Sequence, residues 1–153
     1  VFVEFSNNWL IVSTPYYDEA IIIDLETDAV SVKTFHSKLT KDQKPIPTKT
    51  QAETINEFRT IRAERNKSVS FGRFYFDESH RIFLRFSQDI DREIGDSIIF
   101  KSVLTVFDKD LNQLAETVVQ VDPFSKKFFK DGKLWSYVNV EDELGFAVFT
   151  FNF

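Results

Sequence analysis

The sequence predicts an all-β fold of repeated four-stranded antiparallel meanders, propeller-like, with about three blades and one helical insertion. A strand–turn–strand pattern occurs three times along the chain, and further apolar segments follow each copy. Phenylalanine contributes 18 of the 153 residues, whereas glycine contributes only 4. Aromatic and β-branched side chains suit the half-buried surface of a pleated sheet. We therefore expect three sheets, each built from strands that follow one another along the chain.

The first two strands of each repeat form a hairpin. The three copies read "VEFSNNWLIV", "FGRFYFDESHRIFLRF" and "KFFKDGKLWSYV", each with a short polar turn between apolar runs. Asp131-Gly132 and Asn7-Asn8 are residue pairs that accept the positive φ of tight hairpin turns. Aromatic residues of the strands are expected to fill the spaces between sheets: Phe74, Phe76, Phe83, Phe128, Phe149 and Phe151.

The third and fourth strands follow the same pattern in the first two copies. "EAIIIDLETDAVSVKTF" and "SIIFKSVLTVFDKDLNQLAETVVQV" each contain an apolar strand ending at an aspartate (Asp24, Asp108), a polar turn and an alternating strand. The last segment, "ELGFAVFTFNF", supplies a third strand without a fourth. Four-stranded meanders of this size are typical of propeller blades, and an ordinary β-sandwich is the alternative. The blade-like repeats cover about 1–35, 71–121 and 127–153.

Residues 36–70 interrupt the repeats and are predicted to be an insertion with a helix over 51–65. Thr50 and Glu53 have the spacing of a capping box, and Asn66 is suited to end the helix. Apolar residues recur every third position: Ile55, Phe58 and Ile61.

About three blades do not close a ring, because closed propellers have 4–8. The chain begins at Val1 inside a strand pattern and contains no methionine. We therefore expect a mature fragment, either part of a larger propeller or a unit that closes with a second copy.

Composition excludes several classes of protein. The net charge of −5 disfavours a non-specific nucleic-acid binder, which needs a basic surface to release counterions. The absence of cysteine excludes disulfides, thiolate metal sites and a cysteine nucleophile. No apolar run approaches the ~20 residues of a membrane-spanning helix.

Three motifs resemble a known family: "FGRFYFDESHRIFLRF", "LTVFDKDLNQLAETVV" and "FFKDGKLWSYVNVEDELGFAVFTF". They are similar to the C-terminal part of uncharacterised six-bladed-propeller-like lipoproteins of Bacteroides and relatives. The resemblance covers 71–153 closely and 1–35 more loosely. It implies export, a lipid-anchored periplasmic or cell-surface location and a propeller fold. It implies no activity and assigns no site residue.

The polar segments "STPYYDEA" (13–20), "SQDIDREIGD" (87–96) and "NVEDEL" (139–144) are predicted to be the loops between second and third strands. Equivalent loops of stacked meanders lie on one face, where propellers often bind ligands. Tyrosine beside carboxylates suits sugar or peptide recognition, because the ring stacks while the acids accept hydrogen bonds. The candidate ligand-binding residues are Tyr16, Tyr17, Asp18, Asp89, Asp91, Arg92, Glu141 and Asp142.

Metal binding has one candidate segment. Asp89, Asp91, Glu93 and Asp96 place four carboxylates in ten residues, and calcium prefers oxygen ligands. The segment lacks the glycine at the sharp turn of a calcium loop and the closing glutamate, so a solvated acidic loop is the alternative. His80, in a turn beside acids, is a candidate base or metal ligand; with two histidines in the chain, no histidine-rich metal site is expected.

No nucleophile elbow and no glycine-rich phosphate loop is present. The sequence therefore favours a non-catalytic module that presents its loops to a peptide, protein or glycan, with no required cofactor. A carbohydrate-active hydrolase or lyase using two loop carboxylates is one alternative, and a close acid pair with a raised pKa would favour it. A structural role, pairing with the remaining blades of a larger chain or with a second copy, is the other. An exposed apolar flank over 146–153 would favour that role.

Overall fold

The structure is a computed structural model that describes residues 1–6, 8–46, 49–95 and 97–151. It contains three antiparallel sheets in which strands adjacent in sequence are paired. The first sheet comprises β1 (Phe2–Ser6), β2 (Trp9–Ser13), β3 (Glu19–Asp24) and β4 (Val30–Thr34). The second comprises β5 (Ser70–Asp77), β6 (Ile82–Ile94), β7 (Ser97–Phe107) and β8 (Gln113–Val119). The third comprises β9 (Lys127–Lys130), β10 (Lys133–Val140) and β11 (Glu143–Phe149). The predicted all-β fold of repeated meanders is confirmed.

Turn residues explain why the chain reverses where it does. Asp131 and Gly132 have φ values of 53° and 67°, the left-handed conformation that a tight two-residue hairpin requires. Asn8 has a φ of 58° in the first hairpin, whereas Asn7 lies outside the described residues. Asparagine, aspartate and glycine adopt this conformation at low cost, so these short polar pairs end one strand and begin the next.

The helix of the insertion, α1, spans Ile55–Asn66. The predicted cap at Thr50 is wrong by one turn, because the N-cap is Thr54, whose side chain accepts a hydrogen bond from the Glu57 N–H at 3.2 Å. The same Thr-x-x-Glu spacing occurs there, and the Glu57 carboxylate also accepts from the Glu53 N–H. This second bond favours the later start. Asn66, which was expected to close the helix, is its last residue, with Lys67 as the C-cap, and no residue of α1 is buried.

Two hydrophobic cores lie on opposite faces of the second sheet. Along β6, Phe83 faces the first sheet and Leu84 faces the third, since successive side chains of a strand alternate. The core between the first and second sheets contains Ile11, Ala20, Ile22, Phe35, Phe74, Phe83, Phe107 and Leu111. The second core contains Ile82, Leu84, Phe86, Leu104, Val106 and Leu134. The middle sheet is therefore covered on both sides.

The outer faces of the first and third sheets are apolar but exposed. In the first sheet, cross-strand neighbours on this face are Val3, Val12, Ile21 and Val32, and none of them is buried. We call the complete set outer face 1: Val3, Phe5, Leu10, Val12, Ile21, Ile23, Val30 and Val32. We call the corresponding set of the third sheet outer face 3: Phe128, Trp135, Tyr137, Leu144, Phe146 and Val148.

Aromatic residues divide between the cores and the outer faces. Phe74 and Phe83 are buried, and Phe76 and Phe149 pack against a core, as expected. Phe128 instead lies on outer face 3, where its ring stacks on Trp135 with centroids 6.2 Å apart. Its strand alternates, so Phe129 takes the inward position.

Candidate binding groove

A groove runs where the first strands of the three sheets meet. Strands β1, β5 and β9 are edge strands of their sheets, and they lie next to one another. Two adjoining cavities, of about 510 and 570 Å³, lie along them. Both cavities are lined by Arg73, Tyr75, Lys127 and Phe128, so they form one groove. We call it the first-strand groove.

Arg73 crosses the groove from the second sheet to the first. Its Nη2 donates to the Glu4 carboxylate at 2.8 Å and to the Val3 carbonyl at 3.2 Å. The guanidinium lies 5.5 Å from the centre of the Tyr75 ring. Its Nη1 and Nε make no hydrogen bond to the described part of the chain. These N–H groups are therefore available to an acceptor in the groove.

Lys127, on the third sheet, is a buried cation that lines the groove. Its Nζ donates to the Asp122 carbonyl at 2.6 Å and to the Ser125 carbonyl and hydroxyl, both at 3.0 Å. The ammonium also lies 4.8 Å from the centre of the Phe86 ring. Burial lowers the pKa of Lys127 to about 8, and the nearby Asp122 charge opposes that shift. All three N–H donors are used, which holds this side chain in place.

The hairpin end of the groove is closed by the turns of the second and third sheets. Asp77 is buried there, accepts from the Ser79 N–H at 2.9 Å, and lies 2.7 Å from Nδ1 of His80. The side chain of Ser79 lies beside Gly132 of the third sheet. His80, considered above as a base or metal ligand, is thus held by the carboxylate that organises its own turn.

The predicted ligand face lies elsewhere in the molecule. Tyr16, Tyr17 and Asp18 are in the β2–β3 loop, and Glu141 and Asp142 form the β10–β11 turn, as predicted from the meander pattern. In an antiparallel meander these connections lie at the opposite end of the sheets from the first hairpin turns, and none of the candidate residues lines the groove. Sequence reasoning missed the groove, although Glu4, Arg73 and Lys127 were visible as charged residues within apolar strands.

The predicted loop over 87–96 is wrong for most of its length. Strand β6 continues to Ile94 and β7 begins at Ser97, so the candidates Asp89, Asp91, Arg92 and Glu93 are strand residues. A bulge interrupts the register between Ile90 and Arg92. Most residues of this segment are polar and only Ile90 and Ile94 are apolar, a composition that is compatible with an exposed two-stranded ribbon as well as with a loop.

Two candidate acids of the predicted face are buried and bonded within the chain. The first is Asp89, which accepts a hydrogen bond from the Lys41 N–H at 2.9 Å. Asp91 is exposed and forms an ion pair with its neighbour Arg92. The second buried acid is Asp18. Asp18 is 7% exposed, and its Oδ1 accepts from Nη1 of Arg85 at 2.8 Å. The structure therefore does not assemble these acids into one open face.

Arg85 connects the second sheet to the β2–β3 loop. It is 1% exposed and also donates to the Tyr17 carbonyl at 3.2 Å. Its guanidinium lies 4.8 Å from the ring centres of both Phe71 and Phe74. Burial raises the pKa of Asp18 to about 6, although the charge of Arg85 acts to lower it. Asp18 is thus an internal anchor between two sheets.

The raised pKa of Asp18 is the property that would favour a hydrolase. The first part of the insertion, however, covers this loop: Asp18 N–H donates to the Asp42 carbonyl and Lys44 N–H to the Tyr16 carbonyl, both at 2.8 Å. Because the carboxylate is covered and paired with Arg85, its raised pKa has a structural cause. The insertion therefore caps this end of the first two sheets.

Within the described ranges, no group of three or more histidine or acidic side chains is arranged to hold a metal ion. Asp96, one of the four carboxylates considered for calcium, lies outside those ranges. In the same part of the chain, no helix has the length and apolar character needed to cross a bilayer.

Comparisons with known proteins place the chain among uncharacterised relatives. A family profile described as "Domain of unknown function (DUF4221)" matches residues 1–118. A crystal structure of a DUF4221 family member from Bacteroides vulgatus has a TM-score of 0.64 and 13% identity, covering 97% of this chain and 46% of that chain. At this identity the likeness concerns the fold alone, and the chain spans about half of that relative's length. No curated protein matches. The resemblance to an uncharacterised Bacteroides family is confirmed at this level, whereas propeller closure and lipid anchoring stay predictions.

Proposed function

This chain belongs to the DUF4221 family, whose function is unknown, and we propose that it is a non-catalytic binding module for an extended peptide. The observation that carries the proposal is the first-strand groove, where the unused N–H donors of Arg73 lie beside the ring of Tyr75. The planar guanidinium can donate to the carbonyl or carboxylate oxygens of a bound peptide, and the neighbouring aromatic ring can pack against the peptide's side chains.

The open edges of the sheets favour an extended peptide over a glycan as the ligand. Strands β1, β5 and β9 each pair with a strand on one side only, among the residues described. Unpaired backbone N–H and C=O groups at a sheet edge are what an extended peptide uses when it adds to a sheet. A glycan lacks the alternating backbone pattern that such an edge recognises.

Binding of a peptide array to the purified protein tests this proposal, with a glycan array in parallel. We expect peptide binding that Arg73→Gln weakens at least about tenfold, a loss of ~1.4 kcal/mol. Arg92→Gln is the matched control, because Arg92 is exposed on β6 and outside the groove. Binding to glycans alone, or equal loss in both variants, would show that the proposal is wrong.

A structural role is a second proposal, and the two outer faces support it. We propose that further sheets of the same kind cover outer face 1 and outer face 3 in a propeller-like protein. The faces carry the same kinds of side chain that pack between the sheets already present. The relative from Bacteroides vulgatus is about twice as long as this chain, which is room for further sheets. Export and lipid anchoring, which the sequence resemblance implies, belong to the same proposal.

The molar mass of the 153-residue chain, measured by light scattering, tests the structural role. Aggregation without a defined stoichiometry, or binding of a hydrophobic dye, is expected, and Phe146→Ser with Val148→Ser should reduce it. Both residues are 45% exposed on outer face 3. A monodisperse dimer would identify a second copy as the occupant instead of further sheets. A monodisperse monomer without dye binding would contradict the proposal.

A further inference from the structure

The capped end of the first two sheets holds two cations around a single tyrosine. The guanidinium carbon of Arg65, in the last turn of α1, lies 4.9 Å from the centre of the Tyr16 ring. The ammonium of Lys44 lies 5.8 Å from the same centre. The Lys44 N–H also donates to the Tyr16 carbonyl, which fixes the two segments together. The insertion and the β2–β3 loop therefore form this cluster jointly.

No acid neutralises these two cations among the residues described. Neither Lys44 nor Arg65 takes part in an ion pair there. Burial, and then the charge of Arg65, lower the pKa of Lys44. Nε of Arg65 is enclosed without an acceptor in the same part of the chain. Two like charges held together in a partly buried position are unfavourable unless an anion joins them.

We propose that Tyr16, Lys44 and Arg65 form a binding site for a phosphate-like oxyanion, either free or as an ester. The guanidinium supplies a planar donor pair that fits two oxygens of such a group, and the ammonium adds a point charge. The hydroxyl of Tyr16 adds a third kind of donor. Tyr16 is 41% exposed, so a ligand can reach the cluster from solvent.

The end of α1 offers a competing explanation. Lys44 Nζ donates to the Arg65 carbonyl at 3.4 Å, and a helix C-terminus favours cations. That explanation accounts for one bond of Lys44 but leaves the enclosed Nε of Arg65 without an acceptor among the described residues. It also predicts no dependence on any anion. The two explanations therefore differ in a measurable way.

The test is a titration of the protein with inorganic phosphate, followed by NMR signals of the Tyr16 ring and the Lys44 side chain. Sodium chloride at matched ionic strength controls for screening. We expect saturable shifts with phosphate and a rise of the Lys44 pKa in the bound state. Phenyl phosphate is titrated in parallel: tighter binding than inorganic phosphate identifies an ester as the ligand, and weaker binding identifies the free ion. Equal, non-saturable shifts with phosphate and chloride would overturn the proposal in favour of the helix-end explanation.

Variants separate the site from the fold. Arg65→Gln is expected to weaken phosphate binding at least about tenfold, and Arg65→Lys, which keeps the charge but loses the planar donor pair, to weaken it less. Lys49→Gln is the matched control, since Lys49 is a cation of the same insertion already paired with Glu57. Unfolding curves of each variant exclude loss of structure as the cause. Equal weakening by Lys49→Gln and Arg65→Gln would contradict a specific site.

Discussion

Replacing Arg85 by methionine tests whether the buried ion pair holds the first and second sheets together. Arg85 donates to Asp18 Oδ1 at 2.8 Å, to the Gly72 carbonyl at 3.1 Å, and to the carbonyls of Tyr17 and Thr14 at 3.2 and 3.4 Å. Methionine fills much of the same volume between the two phenylalanine rings but donates no hydrogen bond. The substitution therefore removes the polar contacts while retaining most of the packing.

The expected cost is about 3–5 kcal/mol of unfolding free energy, the range for removing one partner of a buried ion pair. Each buried acceptor left without a donor contributes to it. Asp18 limits the cost, because its pKa is already raised to about 6 and rises further without the guanidinium, so the carboxyl becomes neutral. We therefore expect the lower half of that range near pH 5 and the upper half near pH 8.

Urea denaturation followed by tryptophan fluorescence measures this cost, since Trp9 packs against the first core. Arg92→Met is the control on the same strand. Its side chain is 63% exposed and, within the described part of the chain, forms an ion pair only with Asp91, so the substitution should change stability by less than about 1 kcal/mol. If Arg85→Met loses no more than Arg92→Met at either pH, the ion pair does not hold the sheets together and the reasoning is refuted.

Three further predictions concern single groups. Burial raises the pKa of Asp18 from 3.8 to about 6, so the folded chain binds the carboxyl proton of Asp18 more tightly than the unfolded chain does. The free energy of unfolding should therefore fall by up to roughly 3 kcal/mol as pH rises from 4 to 6.5. Urea curves across that range check this, and Asp18→Asn should remove the slope; an unchanged slope contradicts it. The ¹³Cε signal of Lys127 should titrate near pH 8, and a midpoint near 10.5 would exclude the described burial. Gly72→Ala should cost about 1–3 kcal/mol by thermal unfolding, because its Cβ would lie 2.5 Å from the Phe86 carbonyl oxygen. Gly145→Ala, whose nearest neighbour is a valine methyl at 3.3 Å, should cost less, and the reverse order would refute the steric argument.

Local patterns were sufficient to predict the strands but not the length of every one. The turn at Asp131-Gly132 was predicted because its backbone conformation depends on those two residues alone. The ribbon over 87–94 was not, because Asp89 and Asp91 are as compatible with a loop as with a strand. Its strand conformation comes from pairing with β7, and Asp89 also accepts a hydrogen bond from the N–H of Lys41, which is distant in sequence. The start of α1 was mispredicted for a similar reason. Thr50 and Thr54 both have the spacing of an N-cap, and the structure selects Thr54, where the Glu57 carboxylate accepts an additional hydrogen bond from the Glu53 N–H.

Sequence by itself determined the three meanders, the hairpin turn at Asp131-Gly132 and the position of the insertion, since each follows from the alternation and φ preferences of neighbouring residues. Only the tertiary structure decided which charges meet. Asp18 and Arg85 are 67 residues apart, and the stacking of two sheets turns a predicted ligand contact into a buried anchor. Arg73 and Lys127 come together in the same way, because the edges of separate sheets converge on one groove. Contacts between elements depend on how sheets pack, and no local pattern encodes that packing.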